Sequence, residues 1–215
     1  MDLSVEVVSD IICPWCYIGK RRLEKAAAEL GPRHNVRVIW RAFELNPDMP
    51  EEGMARKAYR TAKFGSWERA KELEDHVAKI GREVGLEFAF DRIRKTPSTF
   101  NAHRLLWLAR REGVQDAVAE ALFRGYFQEG EDIGATDTLT RLAAGAGLDA
   151  KRVARLFAGD EGGREVRIEE ADAQAANIRG VPAFRINGRG LVSGAQPVPV
   201  LVAALEEAAA HSESL

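Results

Sequence analysis

The sequence predicts an α/β fold in which a βαβ unit and a ββα unit flank a large inserted all-α domain. The first 50 residues alternate strand, helix and strand patterns, and residues 53–178 show helical periodicity almost throughout. Two short strand patterns and a final helix follow. Because 46% of the 215 residues are apolar, the chain can bury a sizeable core as one large domain, or as one domain carrying an insertion.

The βαβ unit is read from three consecutive patterns. Residues 3–8 alternate and are rich in valine, which is typical of a strand. Residues 17–30 place apolar side chains at helical spacing, and Gly31-Pro32 ends that helix. Residues 36–43 form a second strand pattern, so the crossover rule predicts two parallel strands.

The helical block is too long to be a loop, so we predict a domain inserted into the α/β core. The core is expected over 1–52 and 179–215, and the insertion over 53–178. The last helix of the block, about 161–178, also fits packing against the core. The candidate helices are 67–84, 98–112, 114–128, 136–145, 149–157 and 161–178.

The C-terminal segment changes character again. Residues 183–187 and 190–193 have strand patterns, and Asn187-Gly188 between them is a strong hairpin signal. A final helix is expected over about 198–210. The chain therefore closes with a ββα unit.

Charge and hydropathy exclude several classes of protein. With 31 basic and 33 acidic residues, nothing predicts a nucleic-acid or membrane-surface partner. The longest apolar runs fall short of the roughly 18 residues that span a bilayer. The N-terminus also lacks the basic start and apolar stretch of a secretory signal, so a cytoplasmic location is expected.

The two cysteines, Cys13 and Cys16, are the only ones in the chain, which excludes a disulfide scaffold. A zinc site needs four ligands, and the sequence has no second Cys-x-x-Cys and only four scattered histidines. We therefore predict no metal site. Two inert buried cysteines remain an alternative to redox chemistry.

A Cys-x-x-Cys between a strand and a helix favours redox chemistry. Cys13 would lie at the helix N-terminus, where unpaired N–H groups favour its thiolate, the nucleophile in disulfide exchange. Cys16 would lie about one turn away and could attack a mixed disulfide. Pro14 suits the first helical turn, and Trp15 would add an aromatic surface beside the sulfurs.

Five stretches, in this order, resemble the DsbA superfamily of thioredoxin-like fold, and within it the cytosolic FrnE-like oxidoreductases. These are SDIICPWCYIGK at 9–20, FELNP at 43–47, STFNAHRL at 98–105, GVPAF at 180–184 and SGAQP at 193–197. The resemblance implies a thiol:disulfide oxidoreductase with Cys13 as nucleophile and Cys16 as resolving cysteine. Pro182 matches the family's cis-proline, and Val181 would supply backbone contacts to a bound peptide or mixed disulfide.

The resemblance also implies partners. Substrates would be protein or low-molecular-weight thiols and disulfides, with no bound cofactor and with glutathione or another thiol as redox partner. Kappa-class glutathione transferases and hydroxychromene-carboxylate isomerases share the scaffold but typically carry serine where Cys13 stands. A glutathione-dependent isomerase or transferase is thus the main alternative, and a non-catalytic, redox-sensing binding module is another. The sequence is also compatible with a homodimer.

Three other candidate site residues, Asp10, His103 and Asn101, have two interpretations each. Asp10 could relay the Cys16 proton or cap the following helix. His103 and Asn101 could approach the thiols from the insertion, or could serve helix packing. Tyr17 is expected to line the active site beside the sulfurs.

Overall fold

The computed structural model describes residues 2–32 and 34–213. Its main sheet has four strands in the order β2-β1-β5-β6. Strands β1 and β2 are parallel, whereas β5 is antiparallel to both β1 and β6. The four strands are β1 (Asp2–Ser9), β2 (Asn35–Ala42), β5 (Ala183–Ile186) and β6 (Gly190–Ser193).

The helices account for most of the remaining chain. The parallel βαβ unit and the final ββα unit are both confirmed. The helices are α1 (Pro14–Leu30), α2 (Arg56–Phe64), α3 (Trp67–Glu83), α4 (Phe100–Arg111), α5 (Gln115–Arg124), α6 (Thr136–Gly145), α7 (Ala150–Ala158), α8 (Gly163–Ala175) and α9 (Val198–Glu213).

Strand β1 is an inner strand of the sheet, and its C-terminal end is buried on both faces. Leu3, Val5 and Val7 are fully buried in the main core. Val8 points into a smaller cluster with Ala173 of α8. Helix α9 contacts α1, β1, β5 and β6, whereas α4, α5 and α8 pack against β2. The first cysteine of the motif therefore follows a strand that is held on both sides.

The predicted insertion, 53–178, is mainly helical as expected, but it is not entirely all-α. Two short strands, β3 (Met54–Ala55) and β4 (Lys95–Thr96), pair antiparallel. Gly53 allows this, since it has φ +71° and an added Cβ would lie 2.7 Å from the Thr96 carbonyl oxygen. The division into a core and an inserted domain stays a prediction.

One helix was missed, and several helix boundaries differ from the predictions. Helix α2 was not predicted, because its buried position is Arg56 rather than an apolar residue. Helix α4 begins after Thr99 rather than at Ser98. Helix α5 ends at Arg124 and continues as one π-helical turn, Gly125–Glu129.

The hairpin between β5 and β6 follows the sequence signal. Asn187 and Gly188 have φ values of +48° and +71°. Positive φ at both central residues is the backbone of the tight turn that Asn-Gly favours. This hairpin places Pro182, which directly precedes β5, beside the end of β1.

Candidate active site

Cys13 and Cys16 lie at the N-terminus of α1, and both are free thiols. Cys13 is the N-cap residue, and its N–H donates to the Asp10 carbonyl oxygen at 3.0 Å. The Cys16 N–H in turn donates to the Cys13 carbonyl oxygen at 3.0 Å. Cys13 therefore lies at the helix N-terminus, where the helix dipole favours a thiolate.

The two sulfurs differ in access. Cys13 is 5% exposed and lines a cavity, whereas Cys16 is completely buried. Burial raises the pKa of the Cys16 thiol well above its ordinary value, and the neighbouring Cys13 raises it further. Cys16 is thus held protonated behind a more accessible partner, which is the asymmetry that a nucleophile and a resolving thiol require.

The segment before β5 contacts Cys13 directly. The Val181–Pro182 peptide bond is cis. The Cys13 thiol donates to the Val181 carbonyl oxygen at 3.6 Å, across 168 residues of sequence. Gly19 of α1 makes this approach feasible, because an added Cβ would lie 3.0 Å from both Pro182 and Phe184 side-chain atoms. Gly19 was not singled out from the sequence, although a glycine inside a helix signals a close approach.

Asp10 lies behind the cysteine motif and is completely buried. Its Oδ2 accepts a hydrogen bond from the Leu45 N–H at 2.8 Å. Its Oδ1 lies 3.4 Å from His103 Nε2, but no hydrogen bond to Oδ1 is made within the described residues. The side chain does not cap α1, so the capping interpretation is wrong.

His103 comes from α4 and is 2% exposed. Its burial opposes protonation, but the carboxylates of Asp10, Glu44 and Glu170 outweigh burial and raise the pKa of His103. Helix α4 therefore brings a histidine to the acid behind the thiols. His103 is not among the described residues that line the cavity.

Glu44, which the sequence did not single out, extends this buried charged group. Burial and the neighbouring Glu170 raise the pKa of Glu44 to about 7, although His103 and Arg167 oppose them. Its Oε2 accepts a hydrogen bond from Arg167 Nη1 at 2.7 Å. Asp10, His103, Glu44, Glu170 and Arg167 thus form a set of charged groups that begins at the buried Asp10 and ends at an exposed arginine.

A cavity of about 400 Å³ lies over Cys13. One side is formed by Pro14, Trp15 and Val181, and the other by α2 and α3 of the predicted insertion. Its volume falls within the range of small-molecule sites. A larger depression of about 650 Å³ lies between β6 and α9, but neither cysteine lines it.

Residues 4–206 match the DSBA-like thioredoxin domain family. The chain belongs to that family. Its structure is similar to that of a probable DsbA oxidoreductase from Streptomyces coelicolor, with 40% sequence identity, a TM-score of 0.89, and coverage of 96% of this chain and 89% of that chain. The predictions of a DsbA-superfamily resemblance and a thioredoxin-like fold are confirmed.

Two more distant structures share the DsbA-like fold. The cytosolic disulfide reductase DsbM from Pseudomonas aeruginosa is 19% identical, with a TM-score of 0.63 and coverage of 98% and 97% of the two chains. A 2-hydroxychromene-2-carboxylate isomerase is 14% identical, with a TM-score of 0.71 and coverage of 98% of each chain. At these identities the likeness concerns the fold alone.

Two predicted site residues of this DsbA-like chain, Tyr17 and Asn101, lie outside the lining of the cavity at Cys13. Tyr17 is completely buried, stacks on Phe123 at a centroid distance of 5.0 Å, and donates to Glu120 Oε1 at 2.8 Å. Asn101 Oδ1 accepts a hydrogen bond from Arg104 Nη1 at 2.9 Å, which fixes α4 locally. Neither is among the described residues that line the cavity.

Two further features bear on partners of this DsbA-like chain. Across 2–32 and 34–213, none of the helices combines the length and apolar character needed to cross a bilayer. Within the same residues, there is no cluster of three or more histidine, cysteine, aspartate or glutamate side chains suited to holding a metal ion.

Proposed function

We propose that the protein is a FrnE-like thiol:disulfide oxidoreductase that acts in the cytoplasm, with Cys13 as nucleophile and Cys16 as resolving cysteine. The observation that carries the proposal is the asymmetry of the pair. Cys13 faces a cavity beside Val181, whereas Cys16 is completely buried behind it. A substrate disulfide therefore meets Cys13 first.

The exchange has two steps. The Cys13 thiolate attacks one sulfur of a substrate disulfide, forming a mixed disulfide and releasing one substrate thiolate. Cys16 then loses its proton and attacks Cys13 Sγ, which forms the Cys13–Cys16 disulfide and releases the second thiolate. Two electrons pass from the protein to the substrate, and the reverse sequence oxidises a substrate dithiol. The chemistry needs no resident cofactor, and glutathione or another thiol would restore the reduced pair.

Contacts at the site support positioning of the mixed disulfide. The Val181 carbonyl oxygen accepts from the Cys13 thiol, so this backbone group would lie beside the sulfur to which a substrate is attached. Trp15 and Pro14 flank the same sulfur on the helix side. DsbM from Pseudomonas aeruginosa, of similar fold, has been determined with GSH, which supports a small thiol as redox partner.

A redox titration in glutathione buffers tests the proposal. Acid quench, alkylation and mass measurement count the free thiols at each potential. We expect one two-electron transition between the dithiol and the Cys13–Cys16 disulfide, with about 30 mV per tenfold change in equilibrium constant. If the two cysteines never pair over the accessible range, the oxidoreductase proposal fails and the glutathione-dependent isomerase takes its place.

The buried Asp10 is proposed to accept the Cys16 proton during resolution. Its Oδ1 accepts no hydrogen bond within the described part of the chain and lies 3.4 Å from His103 Nε2. We expect Asp10→Asn to slow resolution about tenfold to hundredfold, because the raised pKa of Cys16 makes unassisted deprotonation slow.

The pH profile separates this role from a structural one. Single-turnover resolution is followed from pH 5 to 9 after mixed-disulfide formation at Cys13, with unfolding measured in parallel. In Asp10→Asn the rate should rise with pH towards the wild-type value as hydroxide replaces the missing base. A profile parallel to that of the wild type would contradict the relay.

A further inference from the structure

The lining of the cavity at Cys13 carries more positive than negative charge. Helix α2 contributes Arg56, Arg60 and Lys63, and helix α3 contributes Glu74. Among the described lining residues, Glu74 is the sole carboxylate against these three cations. A cavity with an excess of one sign concentrates ligands of the opposite sign.

Two of the cations are shielded from solvent and share one counter-ion. The side chains of Arg56, Arg60 and Glu74 are 7%, 16% and 6% exposed. Glu74 Oε1 accepts from Arg56 Nη2 at 2.7 Å and lies 3.2 Å from Arg60 Nε. One carboxylate cannot neutralise two guanidinium groups. Burial and the nearby Arg56 accordingly lower the pKa of Arg60, although Glu74 opposes them.

The same lining holds buried polar atoms that lack partners. Arg56 Nε and Thr96 Oγ1 make no hydrogen bond within the described residues, and both residues line the cavity. Such atoms are costly unless a ligand or water satisfies them. Arg56 is 6% exposed and Thr96 is 2% exposed, so these are enclosed groups rather than surface side chains.

Much of the remaining lining is apolar or aromatic. Trp15 and Val181 flank Cys13, and Phe64, Leu73 and Val77 face them from α2 and α3. The lining of this cavity of about 400 Å³ therefore combines Cys13, apolar and aromatic side chains, and a cationic patch formed by Arg56, Arg60 and Lys63.

We propose that this cavity selects low-molecular-weight disulfides that carry a carboxylate, and that Arg60 and Lys63 determine this selection. The inference rests on the proposed function and specifies its substrate. The carboxylate pairs with the cationic patch while Cys13 attacks the disulfide. Each turnover forms the Cys13–Cys16 disulfide, transfers two electrons to the substrate and releases two small thiols.

Three alkyl disulfides of similar size provide the test. These are 3,3′-dithiodipropionate, which is anionic, 2-hydroxyethyl disulfide, which is neutral, and cystamine, which is cationic. Pre-reduced protein is mixed with each in a single turnover, so that no added reductant is needed, and the second-order rate constant of Cys13–Cys16 disulfide formation is measured. We expect the anionic disulfide to react roughly tenfold faster than the neutral one, and cystamine to react more slowly than both.

Variants assign the selection to the cationic patch. Lys63→Gln changes an exposed residue, and Lys63→Gln combined with Arg60→Gln removes two of the three cations. The ratio of anionic to neutral rate constants should fall about threefold in the single variant and towards unity in the double variant. Arg69→Gln on α3 is the matched control, since Arg69 is 60% exposed, pairs with Glu72 and does not line the cavity.

The outcomes separate the two proposals. If none of the three disulfides oxidises the pair, the proposed function fails and this inference with it. If all three react at equal rates, or if Arg69→Gln lowers the ratio as much as Lys63→Gln, only the carboxylate selection fails. A folded protein disulfide that reacts faster than dithiodipropionate would also overturn the inference while leaving the proposed function intact.

Discussion

Replacing Cys13 with serine is expected to abolish thiol–disulfide exchange, with a loss of roughly a thousandfold or more. A serine hydroxyl stays protonated at neutral pH and cannot replace the thiolate as nucleophile. Cys16 cannot take over the attack, because it is completely buried and its pKa is raised. The measurement is the single-turnover reduction of 2-hydroxyethyl disulfide. Full activity in Cys13→Ser would contradict the assignment of the nucleophile.

Cys16→Ser is the matched variant, because it removes one sulfur from the same motif with a different expected result. Cys13 should still attack the substrate, but the mixed disulfide should accumulate because the resolving thiol is missing. Mass measurement after acid quench would show one substrate thiol attached to Cys13. Accumulation on Cys16 in the Cys13→Ser variant instead would reverse the order of the two sulfurs.

Glu74→Ala is expected to destabilise the folded protein by about 3–5 kcal/mol, since it leaves the guanidinium groups of Arg56 and Arg60 buried without their shared carboxylate. Removal of one partner of a buried ion pair lowers the free energy of unfolding, because the remaining charge stays desolvated without its counter-ion. The free energy of unfolding is measured by urea denaturation at neutral pH, where all three groups are charged in the unfolded chain.

Glu72→Ala is the control on the same helix, two residues away. The side chains of Glu72 and Arg69 are 66% and 60% exposed, and an exposed ion pair contributes about 0–1 kcal/mol. We expect little change in the free energy of unfolding for this variant. Equal destabilisation by Glu72→Ala and Glu74→Ala would show that the burial of Glu74 does not increase its contribution to the free energy of unfolding.

Much of the fold follows from local patterns. The alternation at 3–8 and 36–43 predicted β1 and β2, and the helical periodicity predicted α6 over 136–145 with the observed ends. Asn187-Gly188 predicted the β5–β6 hairpin. These elements bury the apolar side chains that define their patterns, so the sequence pattern and the packing agree.

The site was only partly predictable. Cys13, Cys16, Val181 and Pro182 could be singled out because their spacing and order resemble a known family, and the structure places them together, although their roles stay proposals. The cationic patch could not be predicted, because Arg56 and Glu74 occupy buried positions where periodicity leads one to expect apolar residues. The same holds for Glu44, whose neighbours Arg167 and Glu170 are more than 120 residues away.

Tyr17 shows why neighbours in sequence need not share a site. It follows Cys16 directly, but its ring packs against Phe123 and Phe127, and it is not among the described residues that line the cavity. Its hydroxyl then meets Glu120 of α5. A resemblance names residues near a motif, whereas only the packing of α1 against α5 decides which side each residue faces.

The contact between Cys13 and Val181 also bears on the order in which the site is assembled. Both thiols belong to the first 16 residues, whereas the carbonyl group that Cys13 contacts belongs to Val181, late in the 215-residue chain. A contact over so great a separation requires closure of a long loop, which is entropically costly before the intervening elements pack. A chain still being synthesised therefore carries both sulfurs through most of its length without the surface that orients a substrate. The contact between Cys13 and Val181 is completed only when β5 docks beside β1.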